Sequence, residues 1–231
     1  MIVKALLFDF NGVIIDDEPI QMRAYQEILA SEGIALSGED YMSSLGMDDK
    51  TFVAVAYQRV GKSPDANKVL QINQAKQEKW REAIASEVPL FPGVENFIRK
   101  AANEFELGVV SMSNIADIEY ILERTGLTDF FSIIISAEEV VKPKPDPQCY
   151  REGFRQIDLA RIQKGHLPMV HGECVVIEDS PPGIEAARAA DLPALGVANT
   201  VSADELRAAG ASWVAKNLND WWPESIRRAF M

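Results

Sequence analysis

Hydrophobic residues in this chain form short runs, separated by segments in which they recur every three or four positions. Six runs have the length and content of strands buried in a parallel sheet. They are VKALLF at 3 to 8, LGVVS at 107 to 111, FSIIIS at 131 to 136, CVVIED at 174 to 179, ALGVA at 194 to 198 and SWVA at 212 to 215. Helical patterns lie between most of them, at 94 to 104, 115 to 124, 147 to 156, 183 to 190 and 203 to 208. The alternation predicts an α/β sheet with right-handed crossovers.

The segment between the first two runs has no strand pattern. Helical spacing covers 18 to 32, 38 to 45, 48 to 60 and 65 to 86, with breaks at Gly33, Gly46 and GKSP. We therefore predict a helical insertion that leaves the sheet after Asp9 and returns near PLFPGVENF at 89 to 97. An insertion beside the carboxyl end of a strand can close over a ligand and exclude water.

Composition narrows the classes of partner. A chain of 231 residues with 47% hydrophobic content can bury a sizeable core, as one domain or one domain with an insertion. A net charge of -12 opposes binding to nucleic acid or to an anionic membrane, so we expect neither as a partner. A small anion stays compatible, because local lysines and a divalent cation can form a positive pocket.

Cysteine content and hydropathy indicate the cellular compartment in which the protein is expected. Cys149 and Cys174 are too few and too far apart in sequence for a disulfide framework or a zinc site, so we predict two reduced core thiols. The first apolar segment lacks the long hydrophobic region of a secretory signal, and no run approaches the ~20 apolar residues of a membrane span. We expect a cytoplasmic protein.

Polar residues follow four of the predicted strands. Because ligands bind beyond the carboxyl ends of the strands in open α/β sheets, we expect these residues to converge. They are Asp9, Ser111, Lys142 and the pair Glu178 and Asp179. Each has an ordinary structural explanation alone, such as a helix cap or a solvated charge. Their joint placement at one edge favours a shared chemical role.

Phosphoryl transfer through an aspartyl intermediate needs this set of groups. A carboxylate such as Asp9 attacks phosphorus only where a metal and a lysine neutralise the repulsion between two anions. Asp9 and Asp179 offer the oxygen ligands that Mg²⁺ prefers, and Lys142 could pair with Asp9 and a phosphate oxygen. The Ser111 hydroxyl and the amides of the Gly12 turn could donate to the other oxygens.

Four stretches resemble, in order, the motifs of the haloacid dehalogenase-like superfamily, in the branch with a helical cap that includes phosphoglycolate phosphatases and β-phosphoglucomutases. They are FDFNGVIIDDEP at 8 to 19, VVSMSN at 109 to 114, VVKPKPDPQCY at 140 to 150 and VVIEDSPPGIEAARAA at 175 to 190. FPGVENFIRKAA is similar to the segment that follows the cap. The resemblance implies a Rossmann-like, three-layer core with a central parallel sheet at 1 to 16 and 89 to 231, and an all-helical cap at 17 to 88.

The resemblance also implies roles for individual residues. Asp9 would be the nucleophile and a Mg²⁺ ligand, the main-chain carbonyl of Asn11 and the carboxylate of Asp179 would complete the site, and Glu178 would be a nearby acid and a further candidate metal ligand. The second motif and Lys142 would bind the phosphate. The second motif supplies Ser111, Met112, Ser113 and Asn114.

Two positions depart from the family pattern. The phosphatases and mutases have an Asp as general acid and base where this chain has Asn11, and the mutases have a histidine where it has Gln21. An amide cannot deliver or take a proton, so Asn11 puts at risk the roughly 10²- to 10⁴-fold contribution of acid-base catalysis. Metal binding through a main-chain carbonyl should survive this change, and good leaving groups should suffer least.

The predicted cap carries the candidates for substrate recognition. Gly46 to Lys50, GMDDK, lies where the family places a substrate loop, and Lys76 lies where related caps place a phosphate-facing lysine. A solvated helix face explains Lys76 equally well. His166 and His171 lack nearby acids, so a surface connection is favoured over a metal site.

These observations predict a Mg²⁺-dependent hydrolase of a small phosphorylated metabolite, slowed by Asn11, as a monomer or weak homodimer. Two other functions stay open. One is a catalytically silent member that binds a phosphorylated ligand, which Asn11 favours. The other is a phosphomutase, against which Gln21 argues. A deliberate replacement of an aspartate at position 11 is also compatible with the sequence.

Overall fold

A computed structural model describes residues 2 to 219 and 221 to 231. Met1 and Asp220, both inside the predicted core ranges, lie outside the described residues. All six predicted strands are present, in one parallel sheet of order β3-β2-β1-β4-β5-β6. They are β1 (Ala5–Phe8), β2 (Glu106–Val110), β3 (Ile133–Ile135), β4 (Cys174–Glu178), β5 (Ala194–Val197) and β6 (Trp213–Ala215).

Helices flank this sheet and fill the segment between its first two strands. They are α1 (Glu18–Ser31), α2 (Gly38–Met42), α3 (Asp49–Arg59), α4 (Ala66–Ala83), α5 (Val94–Ala101), α6 (Ile115–Thr125), α7 (Gln148–Gln163), α8 (Pro181–Ala189), α9 (Ala203–Ala209) and α10 (Pro223–Ala229). The patterns located α1 to α9, but α7 continues well beyond its predicted end and α10 was not predicted. His166 and His171 lie in the exposed connection after α7, where His171 stacks on Phe154.

The core lies on both faces of the sheet. Along β1, Leu6 and Phe8 pack into the apolar cluster on one face, and Ala5 and Leu7 pack into the cluster on the other. A strand covered on both faces explains why β1 reads as a continuous apolar run rather than an alternating one. The free thiols of Cys149 and Cys174 are buried, as predicted. The Rossmann-like α/β fold is confirmed.

Helices α1 to α4, which we call the helical insertion, have an apolar cluster of their own that includes Tyr25, Leu29, Phe52 and Ile72. Two of these helices begin at residues whose side chains cap the first turn. Asp48 accepts a hydrogen bond from the Thr51 amide at the start of α3, and Asp65 accepts one from the Lys68 amide at the start of α4. The insertion also contacts the rest of the chain through polar groups. Arg81 forms a 3.0 Å ion pair with Asp117 of α6.

The strand order reverses between β1 and β4. The chain leaves β1 for β2 on one side and later returns to pair β4 on the other, so a crevice opens at the carboxyl ends of these two strands. Asp9 directly follows β1, and Glu178 ends β4. Within the described ranges, no helix is both long and apolar enough to cross a membrane.

Candidate active site

A cavity of about 90 Å³ lies where the carboxyl ends of β1, β2 and β4 meet the helical insertion. Drug-sized ligand pockets are larger, at roughly 300 to 1,000 Å³. The core contributes Asp9, Asn11, Ser111 to Ser113, Lys144, Asp179 and Ser180, and the insertion contributes Glu18, Gln21, Tyr25, Tyr41, Ser44 to Met47, Asp49, Phe52 and Lys76. A cavity of this volume accommodates only a small ligand.

One buried lysine joins two acids at the base of this cavity. The Lys144 ammonium donates to Asp9 Oδ1 at 2.8 Å and to Glu178 Oε1 at 2.7 Å. Burial lowers the pKa of Lys144, but the two carboxylates outweigh burial and hold it above its usual value. Lys144 is therefore a permanent cation beside the nucleophile candidate.

This geometry corrects the prediction for Lys142. The Lys142 side chain is exposed and lies 3.7 Å from Asp146, outside the cavity. The sequence VVKPKPD offers two Lys-Pro pairs two residues apart, and the path of the backbone turns the second lysine inward. The cation that the sequence predicted beside Asp9 is Lys144.

Glu178 is completely buried and fully hydrogen-bonded. Its Oε1 accepts from Lys144 and from the Tyr150 hydroxyl at 2.8 Å, and its Oε2 accepts from the Asp179 and Ser180 amides and from the Ser180 hydroxyl. A Cβ at Gly183 would lie 1.8 Å from Oε1, so the first turn of α8 must carry glycine there. Glu178 thus holds Lys144 and the β4 terminus in place.

Asp179 projects toward the turn that follows β1. A Cβ at Gly12, whose φ is 76°, would lie 1.8 Å from Asp179 Oδ2, so only glycine permits this approach. The Thr200 hydroxyl donates to the same oxygen, and Asn199 donates to the Gly12 carbonyl at 2.8 Å. Contacts from the β5 side therefore fix both the acid and the turn.

Asp9, Glu178 and Asp179 offer carboxylate oxygens within 4.8 Å of one another. Three carboxylates and one ammonium leave two negative charges, which a divalent cation would neutralise. Burial, and then the Glu178 charge, raises the pKa of Asp9 to about 7 against the opposing effect of Lys144. Burial, Glu178 and Asp9 together raise the pKa of Asp179. The cluster is strained by like charge in a way that metal binding would relieve.

The donor set fits Mg²⁺, a cation that binds oxygen ligands. Among the described residues, Asp9 and Asp179 each accept one side-chain hydrogen bond, whereas both Glu178 oxygens are in use. Asp9 and Asp179 are thus the free carboxylates of the cluster. Glu178, which we predicted as a ligand, contributes charge and position to the site.

Asn11 is held away from the charge cluster by a second buried acid. Its Nδ2 donates to both Asp17 oxygens, at 2.9 and 3.0 Å, and its Oδ1 accepts from the Ser113 hydroxyl at 2.5 Å. Asp17 also accepts from Gln21 at 2.9 Å and from the Trp80 indole at 2.7 Å. Burial raises the pKa of Asp17, and these neutral donors oppose the rise. The Asp17 carboxylate therefore orients the side-chain amides of both Asn11 and Gln21.

The second motif divides between the cavity and a helix cap. Ser111, Met112 and Ser113 line the cavity, and the Ser111 hydroxyl oxygen accepts from the Ser113 amide at 3.0 Å. Asn114 is outside the lining, because its side chain caps α6 by accepting from the Asp117 amide. The predicted phosphate contact at Asn114 is therefore replaced by a structural role.

The predicted residues of the insertion also divide. Lys76 lines the cavity and is 5% exposed, with its ammonium 3.1 Å from Asp49 and 5.4 Å from the Tyr25 ring centre. The solvated-face alternative for Lys76 is therefore wrong. Lys50 is exposed and does not line the cavity. Gly46 does, and a Cβ there would lie 2.9 Å from Pro182 and 3.2 Å from Lys144.

Glu18 was not predicted as a site residue. It begins α1, lines the cavity, and accepts from the Tyr41 hydroxyl at 2.6 Å. Burial, and then the charge of Asp17, raises the pKa of Glu18 to about 7, with a smaller contribution from Asp9. The run DDE at 16 to 18 was a visible signal, because acids that closely follow a nucleophile candidate in sequence can be placed in the same cavity.

Comparisons with known proteins agree with this architecture. A family model described as haloacid dehalogenase-like hydrolase matches residues 3 to 191. The chain is 31% identical over 200 residues to Protein CbbY of Rhodobacter capsulatus, covering 83% of this chain and 84% of that protein. It is 26% identical over 197 residues to the phosphoglycolate phosphatase of Yersinia pestis, covering 84% and 81%.

A solved structure shares the fold over its whole length. The crystal structure of β-phosphoglucomutase from Clostridium difficile superposes with a TM-score of 0.85 at 20% identity, covering 99% of this chain and 97% of that chain. Since the family model spans most of the chain and ends just beyond the acidic pair on β4, it includes every residue of the charge cluster. The chain belongs to the haloacid dehalogenase-like hydrolases.

Proposed function

We propose that this protein is a Mg²⁺-dependent phosphatase that hydrolyses monoesters of small phosphorylated metabolites through an aspartyl-phosphate intermediate on Asp9. The observation that carries the proposal is the buried cluster in which Lys144 contacts both Asp9 and Glu178 while Asp179 completes an acidic triad. A nucleophilic carboxylate beside a fixed cation is the arrangement that attack on an anionic phosphate requires.

The residues divide the work of the first step. Asp9 attacks phosphorus, and Lys144 holds the attacking carboxylate and offers positive charge to a phosphate oxygen. The Ser111 hydroxyl and the amides of the turn at Gly12 donate to the remaining oxygens. Asp9, Asp179 and the Asn11 carbonyl would hold Mg²⁺, which supplies charge neutralisation between the nucleophile and the phosphate.

The helical insertion excludes water and selects the ligand. It supplies about half of the cavity lining, whose small volume favours a short phosphorylated metabolite over a nucleotide or a macromolecule. The relative named phosphoglycolate phosphatase supports this class of ligand. We propose a protein of the cytoplasm that acts as a monomer or weak homodimer without nucleic-acid or membrane partners.

A catalytically silent, ligand-binding protein is the second candidate. The position of Asn11 favours it, because the amide is hydrogen-bonded to Asp17 and Ser113. An amide also has no titratable proton to give to a leaving group. A phosphomutase is the third, and Gln21, whose amide nitrogen is also held by Asp17, argues against it.

A screen of alkyl, aryl and acyl phosphates with and without Mg²⁺ tests the proposal. We expect turnover of at least one class that depends on Mg²⁺, and an Asp179→Ala variant whose Mg²⁺ affinity falls by roughly 10- to 100-fold. The Mg²⁺ titration can be followed by thermal unfolding, since a ligand that binds the native state raises Tm. Phosphate binding without turnover of any class would instead support the silent protein.

A further inference from the structure

Asn11 leaves the proposed reaction without its usual proton carrier. An alkoxide leaving group needs a proton, and the attacking water must lose one, but an amide can do neither. The structure closes one route to a replacement, because Asp17 lies behind Asn11 and is not part of the cavity lining. The carrier must therefore be a titratable group that the cavity itself exposes to the ligand.

Most charged groups of the cavity are already committed. Lys144 is bound between Asp9 and Glu178. Lys76 is bound to Asp49 at 3.1 Å, and the Tyr25 hydroxyl donates to the same Asp49 at 2.6 Å. The carboxylates beside Lys144 and Lys76 are therefore already engaged in ion pairs. Asp9 and Asp179 belong to the charge cluster that would attack phosphorus and hold the metal.

Glu18 is the carboxyl that remains. Its Oε2 accepts from the Tyr41 hydroxyl, and within the described chain no cation is bound to either of its oxygens. We propose that Glu18 is the acid and base of the reaction, carrying the proton that Asn11 cannot. This inference rests on the phosphatase proposal and names a catalytic residue for it.

The groups around Glu18 support this role. Asp17 precedes it in sequence, Asp9 lies across the cavity, and both disfavour its ionised form, whereas the Tyr41 hydroxyl and the Lys76 charge favour it. The outcome, with burial as the largest cause, is a pKa of about 7. A carboxyl with this pKa can give and take a proton near neutral pH, which is the optimum for acid-base catalysis.

The proton balance closes over the two steps. When Asp9 forms its bond to phosphorus and the ester P–O bond breaks, the leaving oxygen takes the proton from the Glu18 carboxyl. Water then attacks phosphorus, gives its proton to the Glu18 carboxylate, and the Asp9–phosphorus bond breaks. The products are the alcohol and phosphate, and both carboxyl groups return to their starting states.

The test compares leaving groups in a Glu18→Gln variant, which keeps the size of the side chain and an oxygen for Tyr41. We expect kcat/KM for alkyl phosphates, which reports the step in which the leaving group departs, to fall by roughly 10²-fold or more. We expect kcat/KM for aryl or acyl phosphates to change far less, because these leaving groups need no proton. Glu39→Gln, which removes an exposed acid of α2, is the matched control and should leave all rates unchanged.

A rescue variant separates proton transfer from a packing defect. Asn11→Asp alone would place two carboxyl groups about 3 Å apart, so we combine it with Asp17→Asn, which exchanges acid and amide between the two positions. The new amide can still donate to position 11 and accept from Gln21 and Trp80. In the Glu18→Gln background, this exchange should restore alkyl phosphate turnover.

Each result decides between the alternatives. Selective loss on alkyl phosphates with rescue supports Glu18 as the proton carrier. Equal losses of kcat/KM on all leaving groups, or no loss, would overturn the role of Glu18 while leaving the phosphatase in place. If the unaltered protein turns over none of the three classes with Mg²⁺, the phosphatase proposal fails and this inference fails with it.

Discussion

Two carboxylates are buried within a few residues of each other and are stabilised in different ways. Asp9 has a cation, Lys144, which it shares with Glu178. Asp17 has three neutral donors, from Asn11, Gln21 and Trp80, and no cation among its described contacts. The comparison shows two ways in which one fold stabilises a buried carboxylate, one with a shared cation and one with neutral hydrogen-bond donors. Asp9 lies in a cluster whose three carboxylates outnumber its one ammonium group. The hydrogen bonds of Asp17 come from neutral donors.

The largest effect should come from Asp9→Asn. It removes the carboxylate that we propose attacks phosphorus, so any phosphatase activity should fall to background. The fold should persist, because the change removes one of three mutually repelling acids and leaves Lys144 paired with Glu178. Circular dichroism and a thermal melt check the fold. Activity that survives this change in a preparation free of contaminating phosphatases would exclude the covalent mechanism.

Lys144→Met tests whether the Asp9 cluster needs its cation. Removal of one partner from a buried ion pair typically costs about 3–5 kcal/mol, because the remaining charges are left uncompensated. We expect a loss of that order in the free energy of unfolding, measured with urea, together with loss of turnover. Lys142→Met is the matched control, and as an exposed position it should change stability by less than about 0.5 kcal/mol. Similar effects at the two lysines would contradict the geometry described above.

Trp80→Phe tests the Asp17 cluster, which uses neutral donors. The indole of α4 donates to Asp17 across 63 positions of sequence, and phenylalanine keeps most of the buried ring. Loss of one hydrogen bond to a charged group should cost about 1.5–3 kcal/mol, less than loss of Lys144. The measurement is again urea unfolding. An unchanged rate of acyl phosphate turnover checks that the cluster around Asp9 is intact. A larger loss than at Lys144 would reverse the ranking of the two clusters.

The last effect has the opposite sign and concerns Glu18, whose pKa is raised first by burial and then by the charges of Asp17 and Asp9. Its folded-state pKa of about 7 exceeds its ordinary value of 4.5, so between these values the folded protein binds the extra proton and stability falls as pH rises. Glu18→Gln should therefore raise Tm at pH 8 relative to the unaltered protein. The gain should vanish near pH 4.5. A gain that is independent of pH would show that the charge of Glu18 is not its cause.

Much of the fold and part of the site could be predicted from sequence. The six strands were visible because each reads as a short apolar run, and β1, β2, β4 and β5 are buried along nearly their whole length, whereas α10 carries only a short pattern. Asp9 and Asp179 could be located because each follows a strand. Asp17 could not, because its partner Trp80 is brought to it by packing of α1 against α4. The choice between Lys142 and Lys144 depended on a backbone turn that hydrophobic periodicity does not encode.

Gly46 permits a close approach between the insertion and the core. The loop that carries it lies against Pro182 at the start of α8 and the stem of Lys144, so closely that one methyl group at position 46 would meet Pro182 at 2.9 Å. A side chain at this position would therefore hold the insertion farther from the core and deepen the cavity. On the proposed function, a ligand too long for the present depth would enter only while this contact is broken, when the cavity could not exclude water. Selection by size would then reside in a residue that has no side chain to contact the substrate.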